Sequence, residues 1–245
     1  MKGESMRRVL ITGGGTGIGR ALAHAFADAG DSVTISGRRE GPLQQTAAGR
    51  DIAVRVADVT DEAGVAALFD APFDVVIANA GGGHSARVAE LTLEQWTATL
   101  AVNMTGTFLT FREAIRRGMG SGGRLIAIAS TASLQGGASI PAYSAAKHGV
   151  LGLVRSIAQD LARKGITCNA ICPGFVDTEM AEDAIAGVMN RLNVPHDKAE
   201  AMIVARNPMR RLIAPDEVVA AALFLASAGA SSVNGHALSV SGGEI

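Results

Sequence analysis

The stretch "TGGGTGIG", Thr12–Gly19, follows a short apolar strand and opens an alanine-rich helix. Glycines at positions 13, 17 and 19 let the backbone approach a pyrophosphate, and the helix N-terminus offers free N–H groups and a partial positive charge. The spacing is G-x3-G-x-G rather than the more common G-x-G-x-x-G, so the glycines alone are weak evidence. Their place between the first strand and the first helix predicts a dinucleotide-binding α/β fold.

Strand and helix patterns alternate from this loop to the C-terminus. Apolar strands are predicted in "RRVLITGG", "SVTISGRR", "DIAVRVADVT", "FDVVIANAGG", "GRLIAIAS", "GITCNAICPG" and "GHALSVSGG". Strands separated by whole helices need crossover connections, which favour a parallel sheet. The sequence therefore predicts one doubly wound Rossmann-type α/β domain over 1–245, with a mostly parallel seven-stranded sheet and helices on both faces.

Two long helices and one insertion are expected within this pattern. Apolar residues at steps of three and four predict a long helix over 93–119 with one buried stripe, and a second helix is predicted over 144–163. The stripe comprises Leu93, Trp96, Leu100, Met104, Phe108, Phe111, Ile115 and Met119. Residues 177–209, with helical patches at 177–192 and 196–206, interrupt the alternation after the sixth strand. An insertion at the carboxyl end of a strand is a common place for a substrate lid.

Composition narrows the function classes. The formal net charge is −1 and the pI is near 6.5, so no overall basic field indicates a nucleic-acid partner. No apolar run approaches the roughly 18–20 residues of a membrane span, and the N-terminus lacks the features of a secretory signal. Cys168 and Cys172 would lie roughly 13 Å apart along a strand, too far for a disulfide. We therefore expect a cytoplasmic protein with reduced thiols, no metal site, and no membrane or nucleic-acid partner.

The end of the second strand, "TISGRRE", bears on the choice of cofactor. An acidic side chain at this place would accept hydrogen bonds from the ribose hydroxyls of NAD. The sequence instead has Gly37 followed by Arg38 and Arg39. A small residue leaves room for a 2′-phosphate, and guanidinium groups bind it well. A solvated, charged loop is the plainer alternative. The pattern favours NADP(H), with Arg38 as the main contact and Arg39 as a helper.

Two further strand ends carry polar residues. Asp58 closes the third strand and could accept a hydrogen bond from the adenine amine, but it could equally cap the next helix. The motif "NAG", Asn79–Gly81, closes the fourth strand. Asn and Gly are also common turn formers, so this motif predicts little by itself.

Ser130, Tyr143 and Lys147 form the pattern that carries chemistry. Ser130 ends the fifth strand, and Tyr143 and Lys147 are one helical turn apart and share a helix face. A neighbouring ammonium favours the phenolate and would lower the pKa of a tyrosine from its ordinary value of about 10. Tyr143 could then donate a proton to a carbonyl oxygen, to which Ser130 would also donate a hydrogen bond. Each residue alone has an ordinary structural explanation, but together, behind a dinucleotide loop, they predict an active site.

From about Met6 to the C-terminus, the chain resembles a short-chain dehydrogenase/reductase. The resemblance is carried by "TGGGTGIG", "NAG", the asparagine of "LAVNMTG", Ser130, "YSAAK" and "PG". Tyr143 lies 13 positions after Ser130, which is the usual spacing in the family. Ala78 is a departure, because many members have a second asparagine there.

The resemblance implies roles for further residues. Asn103 is expected to be a fourth catalytic residue that holds a water near Lys147 for a proton relay. Lys147 is expected to bind the nicotinamide ribose as well. The Val176 backbone and the Thr178 hydroxyl are expected at the nicotinamide amide and the phosphates. The implied cofactor contacts are Gly13, Gly15, Thr16, Gly17, Ile18, Gly19, Arg38, Arg39, Asp58, Val59, Asn79, Ala80, Gly81, Tyr143, Lys147, Pro173, Gly174, Val176 and Thr178. The family is usually tetrameric, so a homotetramer is expected.

The resemblance also suggests a substrate class. The stretches "STASLQG", "YSAAKHGVLGL" and "GITCNAICPGFVDTEMA" are similar to 3-oxoacyl-thioester reductases, including polyketide ketoreductases. Other stretches are similar to 3-hydroxybutyrate dehydrogenases, which hold a substrate carboxylate with a histidine and a lysine where this chain has Ala132 and Ile140. An NADPH-dependent carbonyl reductase acting on a small-molecule or carrier-bound 3-oxoacyl thioester is therefore expected. A secondary-alcohol, alicyclic or sugar dehydrogenase and a non-catalytic NADP-binding sensor are the alternatives.

One group of basic residues could serve a carrier-bound substrate. Its members are Arg116, Arg117, Arg163 and Lys164. They could meet an acidic carrier protein, or they could be solvated charges at helix ends.

Overall fold

The computed structural model describes residues 6–245. Residues 1–5 belong to the predicted domain and to the N-terminal stretch in which no secretory signal is predicted, and they lie outside the described residues. The strands are β1 (Arg8–Thr12), β2 (Ser32–Gly37), β3 (Ile52–Val56), β4 (Val75–Ala78), β5 (Arg124–Ile128), β6 (Thr167–Pro173) and β7 (Ala237–Val240). They form one sheet in the order β3-β2-β1-β4-β5-β6-β7, and every neighbouring pair is parallel. The predicted Rossmann-type architecture is confirmed, with the sheet wholly parallel.

Helices cover both faces of this sheet. They are α1 (Gly17–Asp28), α2 (Glu40–Ala47), α3 (Glu62–Ala67), α4 (Leu93–Leu100), α5 (Gly106–Arg116), α6 (Pro141–Leu161), α7 (Glu179–Leu192), α8 (His196–Ile203) and α9 (Pro215–Ala226). One core lies between the sheet and α1, α2 and α9, and the other lies between the sheet and α3, α5 and α6. Strands β4 and β6 are buried along their whole length because both of their faces are covered.

The strand order places a binding crevice between β1 and β4. The chain runs from β1 outward to β2 and β3 and then returns to β4 on the other side of β1. Ligands of open α/β sheets bind beyond the carboxyl ends of the strands at such a switch point. The loop Thr12–Gly19 lies at this end of β1, and Ser130 follows the same end of β5.

The predicted single helix over 93–119 is divided in the structure. A π-helical turn, Ala101–Thr105, joins α4 to α5. A π-turn accommodates one extra residue, which rotates the following side chains by about 100° around the axis. Phe111 is therefore fully buried, whereas Leu93 is 79% exposed and Phe108 is 41% exposed. The prediction of one continuous buried stripe is wrong.

Helix α6 begins earlier than predicted. Pro141 occupies its first turn, where the missing N–H of proline costs nothing, so Tyr143 and Lys147 both lie inside the helix. The predicted apolar face is confirmed by the burial of Leu151 and Val154. The two cysteines are free and buried, as expected. Within residues 6–245, none of the helices is long and apolar enough to cross a membrane.

The segment 177–209 contains the two predicted helical patches, α7 and α8, followed by a 3-10 turn at Val204–Arg206. Its base is pinned by backbone hydrogen bonds. The Ile213 N–H donates to the Phe175 carbonyl at 2.8 Å, and the Asp177 N–H donates to the Ile213 carbonyl at 2.9 Å. The start of the segment is therefore held to the chain that follows it, beside the carboxyl end of β6.

Candidate active site

The glycine loop leaves a close-fitting cradle at the N-terminus of α1. A Cβ atom on Gly19 would lie 2.1 Å from the Gly13 carbonyl oxygen, and one on Gly13 would lie 2.8 Å from the Ala80 Cα. Gly17 has a φ of +49°, in the left-handed region that glycine adopts most readily. The loop therefore admits no side chains at these positions. A concave backbone at a helix N-terminus suits an anionic pyrophosphate.

Asn79 and Thr12 brace this loop. The Asn79 Nδ2 donates to the Thr12 and Gly13 carbonyl oxygens at 3.0 and 3.1 Å. The Thr12 Oγ1 accepts from the backbone N–H groups of Asn79 and Ala80, both at 3.1 Å. The amide side chain of Asn79 thus holds the loop in shape. Sequence analysis did not select Thr12, because its partner lies far along the chain.

We expect Gly19→Ala to abolish tight NADPH binding. The added methyl group would meet the Gly13 carbonyl at 2.1 Å, so the cradle must open. A fluorescence titration with NADPH should show at least about a tenfold loss of affinity, equivalent to about 1.4 kcal/mol. Gly187→Ala is the matched control, because a Cβ there meets nothing within 4 Å. Unchanged affinity in the Gly19 variant would contradict the assignment of the cradle.

The end of β2 is open toward solvent. Arg38 and Arg39 are both exposed. A Cβ on Gly37 would meet only the Leu43 side chain, at an ordinary distance of 3.6 Å or more. The two guanidinium groups and the space beside Gly37 fit the predicted contact with a 2′-phosphate.

Asp58 lies near Arg38 at the neighbouring strand end. Its Oδ1 accepts from the backbone N–H and the hydroxyl of Thr60, at 2.9 and 2.8 Å. Burial raises the pKa of Asp58, but the two hydrogen bonds and the charge of Arg38 together lower it below its usual value. The cap of α3 is Asp61, which accepts from the N–H groups of Ala63 and Gly64. The alternative that Asp58 caps this helix is therefore wrong.

The structure brings Tyr143 and Lys147 together beside Ser130. The Lys147 Nζ lies 5.5 Å from the centre of the Tyr143 ring and donates to the Ile128 carbonyl at 2.8 Å. Lys147 is only 4% exposed. The Ser130 Oγ accepts from the Ala132 N–H at 3.1 Å, which orients the serine at the end of β5. The Ile128 carbonyl is a contact that sequence analysis missed, since backbone groups leave no sequence signal.

Burial shifts both titrating groups. It lowers the pKa of Lys147 from 10.5 to about 8, because the ammonium is removed from water. It also raises the pKa of Tyr143 above 10.0, although the nearby Ser130 side chain acts in the opposite direction. The lowering of the tyrosine pKa predicted from the sequence is therefore absent from the chain alone, since desolvation outweighs the neighbouring hydroxyl.

Asn103 lies in the π-turn and is fully buried. Its Nδ2 donates to the carbonyl oxygens of Gly82 and Thr99, and its Oδ1 accepts from the Gly82 N–H at 3.3 Å. A Cβ on Gly81 would lie 2.7 Å from the Asn103 Oδ1 and 3.6 Å from the Lys147 Nζ. The side chain thus fixes the loop after β4 directly beside Lys147. Helical periodicity alone did not identify it, and only the resemblance did.

The remaining predicted contacts line the same edge of the sheet. Val176 is buried and pairs with Ile213. The Thr178 Oγ1 donates to the Val176 carbonyl at 3.1 Å, and the Thr178 methyl would lie 3.2 Å from a Cβ on Gly17. Pro173 and Gly174 connect β6 to this corner. The side chain of Val59 lies in the core against Gly106, so only its backbone can face a ligand.

Comparison with known protein families identifies relatives over nearly the whole chain. A family model described as enoyl-(acyl carrier protein) reductase matches residues 13–244. A cis-4-hydroxycyclohexanecarboxylate dehydrogenase of Sinomonas cyclohexanicum is 38% identical over 249 residues, which cover 97% of this chain and 96% of the relative. An acetoacetyl-CoA reductase of Shinella zoogloeoides is 36% identical over 247 residues, covering 97% of this chain and 98% of the relative.

Solved structures are similar along the same length. A variant of actinorhodin polyketide ketoreductase, solved with NADPH, matches this chain with a TM-score of 0.92 and 35% sequence identity. The match covers 100% of this chain and 99% of that protein. Agreement of this extent includes the glycine loop, the end of β5 and α6.

Proposed function

The chain belongs to the short-chain dehydrogenase/reductase family of oxidoreductases, and from that premise we propose that it reduces ketones with NADPH. The proposed substrate class is a 3-oxoacyl thioester, which would be reduced to the 3-hydroxyacyl form. One observation carries the proposal: Tyr143, with Lys147 beside its ring, lies on α6 next to Ser130, at the sheet edge that also holds the glycine cradle.

The residues around the cradle would hold the cofactor, NADP(H). The N-terminus of α1 with its glycines would bind the pyrophosphate, and Arg38 and Arg39 would bind the 2′-phosphate. Lys147 would bind the nicotinamide ribose, and Val176 and Thr178 would hold the nicotinamide end. The polyketide ketoreductase that resembles this chain was itself solved with NADPH. When bound, the cofactor supplies the hydride for carbonyl reduction.

The chain's own side chains would supply and place the proton. The Tyr143 hydroxyl would donate its proton to the substrate oxygen, while the Ser130 hydroxyl donates a hydrogen bond to the same oxygen. The Lys147 ammonium would stabilise the phenolate that remains. Asn103, which fixes the loop beside Lys147, would support the supply of a replacement proton. One hydride and one proton convert the ketone into the alcohol.

Cofactor choice should depend on Arg38. A bidentate guanidinium–phosphate contact contributes about 1.5–3 kcal/mol, or about 10- to 150-fold in affinity. Arg38→Ala should therefore weaken NADPH by such a factor and leave NADH nearly unchanged. Arg191→Ala, which removes an exposed arginine at the end of α7, is the control. Equal use of NADH and NADPH by the wild-type protein would contradict this assignment.

The substrate class is supported by two relatives, the polyketide ketoreductase and the acetoacetyl-CoA reductase. Acetoacetyl-CoA is itself a 3-oxoacyl thioester. Exposed apolar side chains on and beside the 177–209 segment would suit a nonpolar acyl chain. They are Phe175, Met180, Leu192, Met202 and Met209. We propose that the segment 177–209 is the substrate lid.

The basic residues suggested for carrier docking do not suit that role. Arg116 and Arg117 end α5 shortly before β5 begins, and Arg163 and Lys164 lie shortly before β6 begins. They are therefore at the amino-terminal edge of the sheet, whereas Ser130 lies beyond the carboxyl end of β5. Arg117 also pairs with Glu113. An acidic carrier docked there would face the wrong edge, so these residues are solvated charges at helix ends.

An alicyclic alcohol dehydrogenase is the second candidate, favoured by the 38% identity to the cis-4-hydroxycyclohexanecarboxylate dehydrogenase. That substrate carries a carboxylate, whereas Ala132 and Ile140 place no charge beside Ser130 and Tyr143. A panel of acyl-carrier, acyl-CoA and free ketones, each with NADPH and NADH, tests the two candidates. We expect NADPH-dependent reduction with a preference for the 3-oxoacyl thioesters. A preference for 4-oxocyclohexanecarboxylate would favour the second candidate.

We also propose a homotetramer in the cytoplasm. The exposed apolar side chains on α4 and α5 support assembly: Leu93 is 79%, Trp96 37% and Phe108 41% exposed. The free, buried thiols of Cys168 and Cys172 support a reducing compartment. Light scattering should give four times the mass of one chain, and a monomer would contradict the proposed assembly.

A further inference from the structure

Three polar side chains from distant parts of the sequence meet at the rim of the active site. The Gln135 Nε2 donates to the Glu244 Oε1 at 2.8 Å, and the Arg206 Nη2 donates to the Gln135 Oε1. The Arg206 Nε lies 4.0 Å from the same Glu244 oxygen. We call these three residues the rim cluster. None of them has a role in the proton chemistry described above.

Each member of the rim cluster comes from a different segment of the site. Gln135 lies in the loop that follows Ser130, and Arg206 ends the 3-10 turn after α8. Glu244 follows β7, and its second carboxylate oxygen would lie 3.4 Å from a Cβ on Gly174. The cluster therefore joins the loop after β5, called here the substrate loop because it contains Ser130, to the end of the 177–209 segment and to the corner after β6.

Glu244 is the buried centre of this cluster. Its side chain is 10% exposed, whereas that of Arg206 is 60% exposed. A buried carboxylate is costly unless hydrogen bonds and a nearby cation stabilise it. Gln135 supplies the hydrogen bond and Arg206 the charge. If Arg206 moved away from the rim, the Glu244 carboxylate would lose its neighbouring positive charge. Glu244 therefore stabilises the conformation in which Arg206 lies at the rim.

The rim cluster gives the 177–209 segment a second attachment. The first is its base, where Ile213 is bonded to Phe175 and Asp177. The second is Arg206, which lies after α8 and is held over the loop containing Gln135. Between the two attachments, α7 and α8 have no hydrogen bond to the rim cluster among the described residues.

We infer that Glu244 is a positioning residue that fastens the 177–209 segment to the substrate loop and thereby sets substrate affinity. This inference rests on the proposed function for its kinetic consequence, but the attachment itself does not depend on the substrate. Glu244 touches neither Tyr143 nor Lys147 among the contacts described above. Its loss should therefore raise KM for a 3-oxoacyl thioester and leave the chemical step nearly unchanged.

An exchange of side chains between two positions tests the inference. Glu244→Gln removes the charge that attracts Arg206, and Gln135→Glu sets two carboxylates against each other. The double variant Gln135→Glu/Glu244→Gln again has one amide and one carboxylate, with the carboxylate next to Arg206. We expect each single variant to raise KM about 2- to 5-fold, as loss of an exposed ion pair would, and the double variant to recover most of that loss. Lys164→Ala, which removes an exposed cation before β6 at the amino-terminal edge of the sheet, is the control.

Hydrogen exchange of the substrate-free protein supplies a readout that needs no turnover. Peptides covering 177–206 should exchange faster in both single variants and return toward the wild-type rate in the double variant. Faster exchange in the single variants, with recovery in the double variant, supports the attachment even if no thioester is reduced. Failure to reduce any thioester would count against the proposed function and not against the attachment. Exchange unchanged in the single variants, or no recovery in the double variant, would overturn the inference.

Discussion

Tyr143→Phe should slow hydride transfer by at least about 100-fold, the lower end of what general acid catalysis contributes. The substitution removes one oxygen and keeps the ring that packs beside Lys147. Folding and NADPH affinity should therefore survive, and the loss should fall on the chemical step. Single-turnover oxidation of bound NADPH by a 3-oxoacyl thioester measures that step directly. NADPH titration by fluorescence measures binding in the same samples.

The neighbouring residue provides a matched control for this variant. The Ser144 Oγ is buried and has no hydrogen-bond partner within the described part of the chain. Ser144→Ala also removes one hydroxyl from the first turns of α6, and it should transfer hydride at nearly the wild-type rate. Near-wild-type transfer in the Phe variant would remove Tyr143 from the proton step. Loss of both fold and NADPH binding would instead indicate a tyrosine kept for packing.

Lys147→Met should lower turnover by about 100-fold and, at the same time, make the protein more stable at neutral pH. The pKa of Lys147 is about 8 in the folded chain and 10.5 in its ordinary state. That difference corresponds to a cost of about 3 kcal/mol for holding the buried ammonium. Loss of the hydrogen bond to the Ile128 carbonyl offsets about 1 kcal/mol of the gain. A net gain of about 2 kcal/mol is expected below pH 8.

The sign of the pH dependence follows from which state holds the proton. Between pH 8 and 10.5 the unfolded wild-type chain binds the lysine proton more strongly than the folded one, so wild-type stability rises with pH in that window. The advantage of the Met variant should therefore shrink over the same window and become a deficit of about 1 kcal/mol above it, where only the lost hydrogen bond to the Ile128 carbonyl remains. Urea unfolding at matched protein concentrations measures this difference. A variant that is less stable than wild type at pH 7 would show that the hydrogen bond to the Ile128 carbonyl outweighs the cost of burying the ammonium.

Removal of Lys147 should also change the pH profile of reduction. The proton donor is the neutral phenol, so the rate falls once the pH exceeds the pKa of Tyr143. A cation within about 4–6 Å favours the phenolate, and Lys147 carries this charge only below its pKa of about 8, so the wild-type rate should fall near pH 8 and Lys147→Met should lack that fall. An unchanged profile in Lys147→Met would show that the charge of Lys147 does not influence proton donation by Tyr143.

The fold and most of the candidate site follow from local sequence patterns. Glycines after a first apolar run, and polar residues at strand ends, predict where a parallel sheet binds a dinucleotide. The spacing of Tyr143 and Lys147 places both on one face of a helix. These features depend on residues that are close in sequence, so alternation and helical periodicity are enough to identify them.

Features that depend on distant contacts could not be predicted in this way. The π-turn at Ala101–Thr105 is held where Asn103 bonds to Gly82, 21 positions earlier, and a period of 3.6 residues contains no sign of it. Gln135 and Glu244 are 109 positions apart. The pKa of Tyr143 is raised because the whole fold buries the side chain. A short sequence motif gives no information about that burial.

Ultraviolet titration shows directly whether the Tyr143 hydroxyl responds to its charged neighbours, because Tyr143 is the only tyrosine of the chain. Phenolate absorbance reports this one hydroxyl without labels or substitutions. We expect a midpoint above pH 10 in the chain alone, where burial dominates, and a lower midpoint after addition of NADP+, whose positive charge favours the phenolate. In Lys147→Met the midpoint with NADP+ should lie higher than in the wild type, whereas the midpoint of the chain alone should change little, because Lys147 has a pKa of about 8 and is neutral above pH 10. A midpoint that neither NADP+ nor the loss of Lys147 moves would contradict the assignment of Tyr143 as a proton donor activated by its neighbours.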